Sequence, residues 1–237
     1  MGRAYQNRKE SMAKTAAAKT KVYSRYGREI YMAAKNGGID PNGNLTLRGL
    51  IERAKKDQVP SHVIDKAIDK AKGGAGEDYS PALYEGFGPG GSMVLIECLT
   101  DNPNRTIGDI RTCFNRTKCK LGTQGNVSHM FDHSAIFSFK GDEEATLEAL
   151  LEADVDVSDV ESEGEMVTVF VPNTEYNNAK QALLNALGEI DFEVDEIQYI
   201  PKGATPISGD DVATMEKLLE MLNDVDDVQN VYHDAEF

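Results

Sequence analysis

The sequence predicts an α+β protein of three domains: a helical N-terminal domain, a discontinuous α/β middle domain and an inserted ferredoxin-like βαββαβ domain. Three observations lead to this prediction. Residues 11–72 carry apolar residues at helical spacing. Residues 135–200 alternate strand and helix patterns in the order β-α-β-β-α-β. The patterns on either side of that segment are too few to form separate domains. The predicted domains are residues 1–75, residues 79–131 together with 206–237, and residues 132–205.

The first domain is predicted to contain two or three helices with short loops. Apolar residues recur at helical spacing over about residues 14–35, and Asn36-Gly37-Gly38 ends that helix because Asn and Gly tolerate a left-handed cap. A second apolar stripe begins after Asn44. Pro60-Ser61 is a typical start for a third helix. Residues 73–81 are rich in Gly and polar residues, and they are predicted to be a flexible linker.

The middle domain is predicted to combine segments from both sides of the insertion. Residues 93–100 have the composition of a buried strand, a helix follows over residues 105–117, and a short strand is predicted over residues 126–131. A capped helix after Gly209 and a strand over residues 228–233 complete it. We expect this last strand to pair within the same sheet as residues 93–100.

The inserted domain is predicted from four strand patterns and two helix patterns. The first helix carries Leu147, Leu150 and Leu151. The predicted strands cover residues 135–140, 155–160, 166–171 and 192–200, and the predicted helices cover residues 143–153 and 173–188.

Charge is distributed very unevenly along the chain. The net charge of −15 divides into +9 for residues 1–72, −1 for residues 73–140 and −23 for residues 141–237. Such asymmetry indicates a polyanionic partner at the basic end. The acidic remainder either keeps the protein in solution or orients it by repelling phosphate, and it offers a surface for a protein partner.

No stretch of the sequence indicates a membrane or secretory protein. No run of about 18 apolar residues is present, and no apolar stretch follows the basic N-terminus. A mitochondrial transit peptide is a minor alternative, since the basic start is also rich in alanine. The three cysteines do not form a disulfide framework in a chain of this length, so we expect a reducing, cytoplasmic setting.

The stretch Gly86-Phe87-Gly88-Pro89-Gly90-Gly91 fits G-x-G-x-x-G, the glycine pattern of dinucleotide-binding loops. That function requires a strand before the glycines and a helix after them, because the helix N-terminus holds the pyrophosphate. Here residues 78–83 have a linker-like composition, and a strand follows the glycines. We therefore interpret the stretch as a tight turn and expect no cofactor. A loop whose backbone faces a ligand is the remaining alternative.

Two other patterns are interpreted as structural. The order of Cys113, Cys119, His129 and His133 is that of a Cys₂His₂ zinc finger, but the spacing is wrong and no catalytic Cys–His signature is present. His62 is expected at the surface. The acidic clusters lack the spacing of a calcium loop and are interpreted as solvated faces. Their members are Asp154, Asp156, Asp159, Asp224, Asp226 and Asp227.

The basic N-terminal segment carries the strongest functional signal. Cations and tyrosines crowd its first 28 positions, where they can follow a phosphate backbone and stack on unpaired bases. An ordinary solvated basic face is the alternative. A second basic group lies on and after the middle-domain helix, and the helix start Asn104-Arg105-Thr106 can hold an anion. The second group is Arg111, Arg116, Lys118 and Lys120. The predicted nucleic-acid-binding residues are Arg3, Arg8, Lys9, Lys14, Lys19, Lys21, Arg25, Arg28, Arg105 and Arg111.

Five stretches, which together span nearly the whole chain, resemble one known family. The most specific is YEGFGPGGSMVLIECLTDNPNRT at residues 84–106. The others are KVYSRYGREIYMAAKNGG (21–38), QVPSHVIDKAIDKAKGG (58–74), GNVSHMF (125–131) and DDVQNVYHDAEF (226–237). They resemble the YebC/PmpR family of probable transcriptional regulators, which is similar to the mitochondrial translational activator of cytochrome oxidase.

The resemblance implies a cytoplasmic protein of three domains without enzymatic activity. Members are described either as DNA-binding regulators of transcription or as translation factors that act on the ribosome, notably at proline runs. The sequence departs from the family at Lys118-Cys119-Lys120-Leu121-Gly122, where the family usually has Gly-Gly-x-Leu-Gly. The two hypotheses are therefore a regulator that binds promoter DNA and a factor that binds ribosomal RNA, and neither needs a cofactor, a metal or a membrane.

Overall fold

A computed structural model describes residues 16–73 and 78–237 of the 237-residue chain. It combines helices with largely antiparallel sheets, which confirms the α+β class. The chain divides into two compact units, one formed by residues up to 130 together with residues 201–237, the other by residues 131–200. Among the helices that are described, none is long and apolar enough to span a bilayer.

The helices and strands are numbered here in chain order. They are α1 (Ala16–Gly37), α2 (Leu45–Lys56), α3 (Ser61–Lys72), β1 (Ser80–Phe87), β2 (Met93–Thr100), α4 (Pro103–Arg116), β3 (Lys120–Leu121), β4 (Phe131–Lys140), α5 (Glu143–Glu152), β5 (Asp159–Glu163), β6 (Met166–Pro172), α6 (Tyr176–Leu187), β7 (Val194–Pro201), β8 (Thr205–Pro206), α7 (Asp210–Asp224), β9 (Val228–His233) and β10 (Ala235–Glu236).

Helices α1, α2 and α3 share an apolar cluster that includes Ile30 and Leu47. Asn44 connects the first two helices. Its side chain accepts the backbone N–H of Leu47 at 3.0 Å, which caps α2. The same side chain donates to the carbonyls of Ala33 and Gly38 at 2.9 and 2.8 Å, which satisfies acceptors at the end of α1.

The larger unit also contains a four-stranded sheet in the order β3-β1-β2-β9. Strand β9 pairs antiparallel with β2, with Val94 opposite His233 and Glu97 opposite Asn230. Helices α4 and α7 cover one face of this sheet, where the fully buried Phe114 belongs to an apolar cluster with residues of both helices and both strands. The sheet therefore joins segments that lie on opposite sides of residues 131–200 in the sequence.

The glycine stretch forms the connection of the β1–β2 hairpin. The expectation of a linker through residue 81 was wrong, because β1 begins at Ser80 and pairs with β2 along its whole length. Gly90 and Gly91 have φ values of +64° and +81°, which side chains rarely adopt. A Cβ atom on Gly86 would lie 2.4 Å from the ring of Phe114. The local backbone and packing therefore explain why these three positions are glycine, and a β-strand rather than a dinucleotide-binding helix follows them.

The strand predicted over residues 126–131 was also wrong. The backbone N–H groups of Gly125 and Ser128 donate to the Glu85 carboxylate at 2.8 and 3.1 Å, and that of Val127 donates to it as well. These N–H groups are therefore not available to a strand partner. Burial raises the pKa of Glu85, but the hydrogen bonds outweigh burial and the net pKa is lowered. Strand β4 starts only at Phe131.

The smaller unit has the element order β-α-β-β-α-β and a sheet in the order β5-β6-β4-β7. Phe137, Val169 and Leu183 are fully buried in its core. The strand predicted at residues 155–160 is displaced to Asp159–Glu163, because Val155 instead donates its N–H to the Leu150 carbonyl in the turn that follows α5. On α5, Leu150 is buried and the other two leucines are exposed.

Candidate nucleic-acid interface

The ten predicted nucleic-acid-binding residues divide into three groups. Arg3, Arg8, Lys9 and Lys14 lie outside the described residues, and Lys19 lies on α1 where only the backbone is described. Three more lie on α1 and two on α4. These are Lys21, Arg25 and Arg28 on α1, and Arg105 and Arg111 on α4.

Arg25 and Arg28 of α1 contact the β2–β9 end of the sheet. Arg25 donates to the side chain of Asn230. Arg28 donates to the backbone carbonyl of Asp226 and, at 3.3 Å, to the Asp227 carboxylate. Its guanidinium lies 5.3 Å from the centre of the Tyr79 ring, within the range of a cation–π contact. Because only 16% of the Arg28 side chain is exposed, most of this cation is engaged inside the protein.

Asp227 is the centre of this contact region, and 2% of its side chain is exposed. Arg105 donates Nη2 to both carboxylate oxygens at 2.7 and 3.0 Å and Nε to one of them at 3.3 Å. The hydroxyls of Thr106 and Thr100 donate to it at 2.8 and 3.3 Å. We call this set of five residues the Asp227 junction; it consists of Asp227, Arg105, Thr106, Thr100 and Arg28. A buried carboxylate requires such partners, since desolvation penalises an isolated charge.

The start of α4 explains how Arg105 and Thr106 reach this carboxylate. Asn102 caps the helix by accepting the backbone N–H of Arg105 at 3.1 Å, and Pro103 occupies its first turn. The Thr106 hydroxyl oxygen also lies 2.7 Å from that of Thr100. The sequence indicates that this helix start can hold an anion. In the structure, the side chains of Arg105 and Thr106 in this turn bind the Asp227 carboxylate.

The interpretation of Asp227 as a solvated residue was therefore wrong. Asp224 and Asp226 precede it in the chain and line, together with Asp227 itself, a cleft of 680 Å³. Arg116 and Tyr79 are also part of the lining. The cleft thus contains cations and carboxylates in close proximity, and its charge is mixed rather than uniformly basic.

The charged groups of this region shift each other's pKa values. The hydrogen bond to Asp227, followed by that to Asp101, raises the pKa of Arg105, and the same pairing lowers the pKa of Asp101. Burial lowers the pKa of Lys21, with neighbouring Arg25 acting in the same direction and Asp224 opposing it. The Nζ atom of Lys21 and the Nε atom of Arg25 are buried without a hydrogen-bond acceptor.

Other cations of the larger unit are exposed to solvent. Arg111 lies on the outer side of α4, and Arg116, five residues further along, is also exposed. Three lysines on α2 and α3 are equally exposed, and sequence reasoning did not select them because they are spread along an ordinary helical pattern. They are Lys55, Lys66 and Lys72. The sequence marks these three lysines only by their place on the polar face of each helix.

No metal centre is formed by the side chains that the structure describes. Groups of three or more His, Cys, Asp or Glu residues with the geometry to hold an ion do not occur within residues 16–73 and 78–237. Cys113 is buried in α4 and burial raises its pKa. His133 stacks on Tyr199 with a ring-centre distance of 4.1 Å.

Comparison with known proteins gives consistent matches along the chain. A family model described as TACO1/YebC protein N-terminal domain matches residues 3–74, and one described as TACO1/YebC second and third domain matches residues 79–235. Proteins named probable transcriptional regulatory protein are 73% identical in Marinobacter nauticus and 71% in Chromohalobacter salexigens; each alignment covers 100% of this chain, and 98% and 99% of the relatives. A crystal structure of a conserved hypothetical protein from Aquifex aeolicus has a TM-score of 0.77 at 33% identity, covering 94% of this chain and 93% of that one.

Proposed function

This chain belongs to the TACO1/YebC family, and from that premise we propose that it is a non-enzymatic regulator of transcription that binds DNA through its helical N-terminal region. The relatives at 73% and 71% identity carry the name of a probable transcriptional regulatory protein. Their similarity extends over all of this chain, so the proposed role concerns the protein as a whole rather than one segment.

The observation that carries the proposal is the separation of charge along the chain. Residues 1–72 have a net charge of +9, whereas residues 141–237 have a net charge of −23. DNA carries a high density of phosphate charge, and a protein that neutralises phosphates gains affinity by releasing counterions. The acidic regions repel the same phosphates. This combination favours contact through the helical end and gives the bound protein a defined orientation.

In this proposal the exposed cations contact phosphates, whereas a cation that is paired within the protein stabilises the fold. Lys55, Lys66 and Lys72 are exposed on α2 and α3, and we propose that they contact phosphates together with the basic residues preceding Val22. Arg111 of α4 is a further phosphate contact in this proposal. Arg105 has a different role, because its guanidinium binds Asp227 and stabilises the Asp227 junction.

A charge-reversal pair tests the role of the helices. Lys66→Glu on α3 changes an exposed lysine in the basic region, and Lys217→Glu on α7 changes another exposed helical lysine in the acidic region. Fluorescence anisotropy with labelled duplex DNA, titrated at several salt concentrations, is the measurement. We expect Lys66→Glu to weaken binding and to lower the slope of log K against log salt by about 0.9 for each lost phosphate contact. Lys217→Glu should leave both unchanged.

Two outcomes would contradict the proposal. Equal effects of the two substitutions would remove the helices from the binding surface. Tighter binding of structured RNA than of duplex DNA at the same salt concentration would contradict the choice of DNA. The regulatory role is tested separately by recovering fragmented genomic DNA bound to the protein. Enrichment of fragments that precede genes is expected, and uniform recovery would argue against sequence-selective regulation.

A further inference from the structure

Helix α1 is held on the end of the sheet by charged hydrogen bonds. Arg25 donates to Asn230, and Arg28 donates to Asp227 and to two backbone carbonyls. The buried apolar residues of α1, α2 and α3 form one cluster, and those of β2, α4 and α7 form another. Attachment through one ion pair and hydrogen bonds from cations is sensitive to competing anions, which burial of shared apolar surface is not.

The two arginines of the Asp227 junction are bound unequally. Arg105 makes three donor contacts to the carboxylate, the shortest at 2.7 Å, whereas Arg28 makes a single contact at 3.3 Å. Thr106 and Thr100 add two more donors. If Arg28 leaves, Asp227 still has a cation and two hydroxyls, so its burial remains compensated. Arg28, which also contacts two backbone carbonyls and the Tyr79 ring, is thus the exchangeable partner of the carboxylate.

The docked position of α1 also leaves donors unused. Lys21 Nζ and Arg25 Nε are buried without an acceptor, and each lies within two turns of Arg28 on the same helix. A buried donor without an acceptor is unfavourable, because it has lost water and gained nothing in exchange. Movement of α1 away from the sheet would give these groups access to water or to an anion.

We infer that Arg28 exchanges between Asp227 and a nucleic-acid phosphate, so that nucleic-acid binding releases α1 from the sheet. A guanidinium donates to phosphate oxygens as it does to carboxylate oxygens, and a phosphate can accept two of its N–H groups where Asp227 accepts one from Arg28. Lys21 and Arg25 gain their missing acceptors in the released state. The inference rests on the proposed function, since the phosphates belong to the DNA bound by the helical region.

Two substitutions separate this exchange from a merely structural role. Asp227→Asn removes the charge that attracts Arg28, so α1 should be released without DNA and affinity for duplex DNA should rise by about 5-fold or more. Arg28→Gln releases α1 in the same way but also removes a phosphate contact, so affinity should fall. A simple loss of folding would weaken binding in both variants. The opposite directions of the affinity changes are therefore the distinguishing result.

The position of α1 is measured directly by electron paramagnetic resonance. Spin labels are placed on cysteines introduced at Asp65 of α3 and Glu220 of α7, both exposed, with Cys119→Ser to remove the partly exposed native thiol. The free protein should give one distance. Saturating duplex DNA should add a longer distance, and Asp227→Asn and Arg28→Gln should show that longer distance in the absence of DNA.

Asp234→Asn is the matched control, because Asp234 is also a buried aspartate near β9 but accepts from Met93 and Thr205 rather than from an arginine. It should leave the distance and the DNA affinity as they are. DNA binding with an unchanged distance in every variant would overturn this inference and leave the proposed function intact. Absence of DNA binding at low salt would overturn the proposed function, and the exchange with it.

Discussion

Replacement of Gly86 by alanine tests how closely β1 packs on α4. The new Cβ atom would lie 2.4 Å from two ring carbons of Phe114 and 3.1 Å from the Lys120 carbonyl. Favourable carbon–carbon contact begins at about 3.5 Å, so the ring has to move by about 1 Å. Phe114 is fully buried and the Lys120 carbonyl restrains the strand from the other side. Overpacking of this kind costs about 1–3 kcal/mol.

A smaller term acts in the opposite direction. Alanine has fewer accessible backbone conformations than glycine in the unfolded chain, which favours folding by about 0.5–1 kcal/mol. The free energy of unfolding should therefore fall by about 1–2 kcal/mol. Urea unfolding followed by far-ultraviolet circular dichroism should show this as a midpoint shift of about 0.5–1 M for the larger unit.

Gly108→Ala on α4 is the matched control for this experiment. Gly108 is exposed, and a Cβ atom there meets no other atom within 4 Å. Alanine is also the better helix former, so this variant should be more stable by about 0.5–1 kcal/mol. The two Gly→Ala changes are expected to have opposite signs. A Gly86→Ala protein as stable as the wild type would refute the close contact between β1 and the Phe114 ring.

Three further predictions concern single residues of the same unit. Lys118 has a φ of +58°, so Lys118→Gly should raise the urea midpoint by relieving about 1–2 kcal/mol of backbone strain, which exceeds the loss of about 0.5–1 kcal/mol from the greater freedom of glycine in the unfolded chain; an unchanged or lower midpoint would contradict this. The pKa of Glu85 is lowered in the folded protein. Its contribution to the free energy of unfolding is therefore fully present at pH values above the ordinary pKa of a glutamate, and it is lost as the pH falls through the lower pKa of the folded state. The stability difference between wild type and Glu85→Gln should accordingly be largest at pH 7 and shrink below about pH 4.5 in urea unfolding; a difference independent of pH would be inconsistent with the carboxylate bonds. Burial raises the pKa of the Cys98 thiol to about 12, so a thiol reagent at pH 8 should modify Cys119 first, and equal rates would show that Cys98 is accessible.

Local patterns in the sequence were sufficient for most helices and for several strands. Asn44 caps α2 because the cap depends on neighbours within a few residues. Helix α4, predicted over residues 105–117, begins two residues earlier at Pro103 with Asn102 as its cap. The pairing of β9 with β2 was accessible as well, since neither the patterns before nor those after the insertion could complete a core alone. These features follow from short-range chemistry and from the need to bury apolar surface.

The roles of the buried carboxylates could not be predicted from local sequence patterns. Arg105 and Asp227 are 122 residues apart in the chain, and the surrounding acidic residues give Asp227 the appearance of a solvated cluster. Glu85 binds the N–H groups of Gly125 and Ser128 some 40 residues further on. Pattern reasoning treats charged residues as exposed by default, and it fails where a distant element supplies the compensating donors.

The position of β9 in the sheet has a consequence for the order of folding during synthesis. The ribosome completes β2 at Thr100 and then adds all of residues 101–227 before the first residue of β9. At 5–20 residues per second, this interval lasts about 6–25 s. The edge of β2 that receives β9 is without its partner strand during that time, and Arg105 is synthesised long before its carboxylate. Residues 131–200 are all synthesised in the same interval. The nascent chain thus passes through a stage in which the inserted unit is complete and the surrounding unit still presents an open strand edge, the stage most exposed to chaperones and to aggregation.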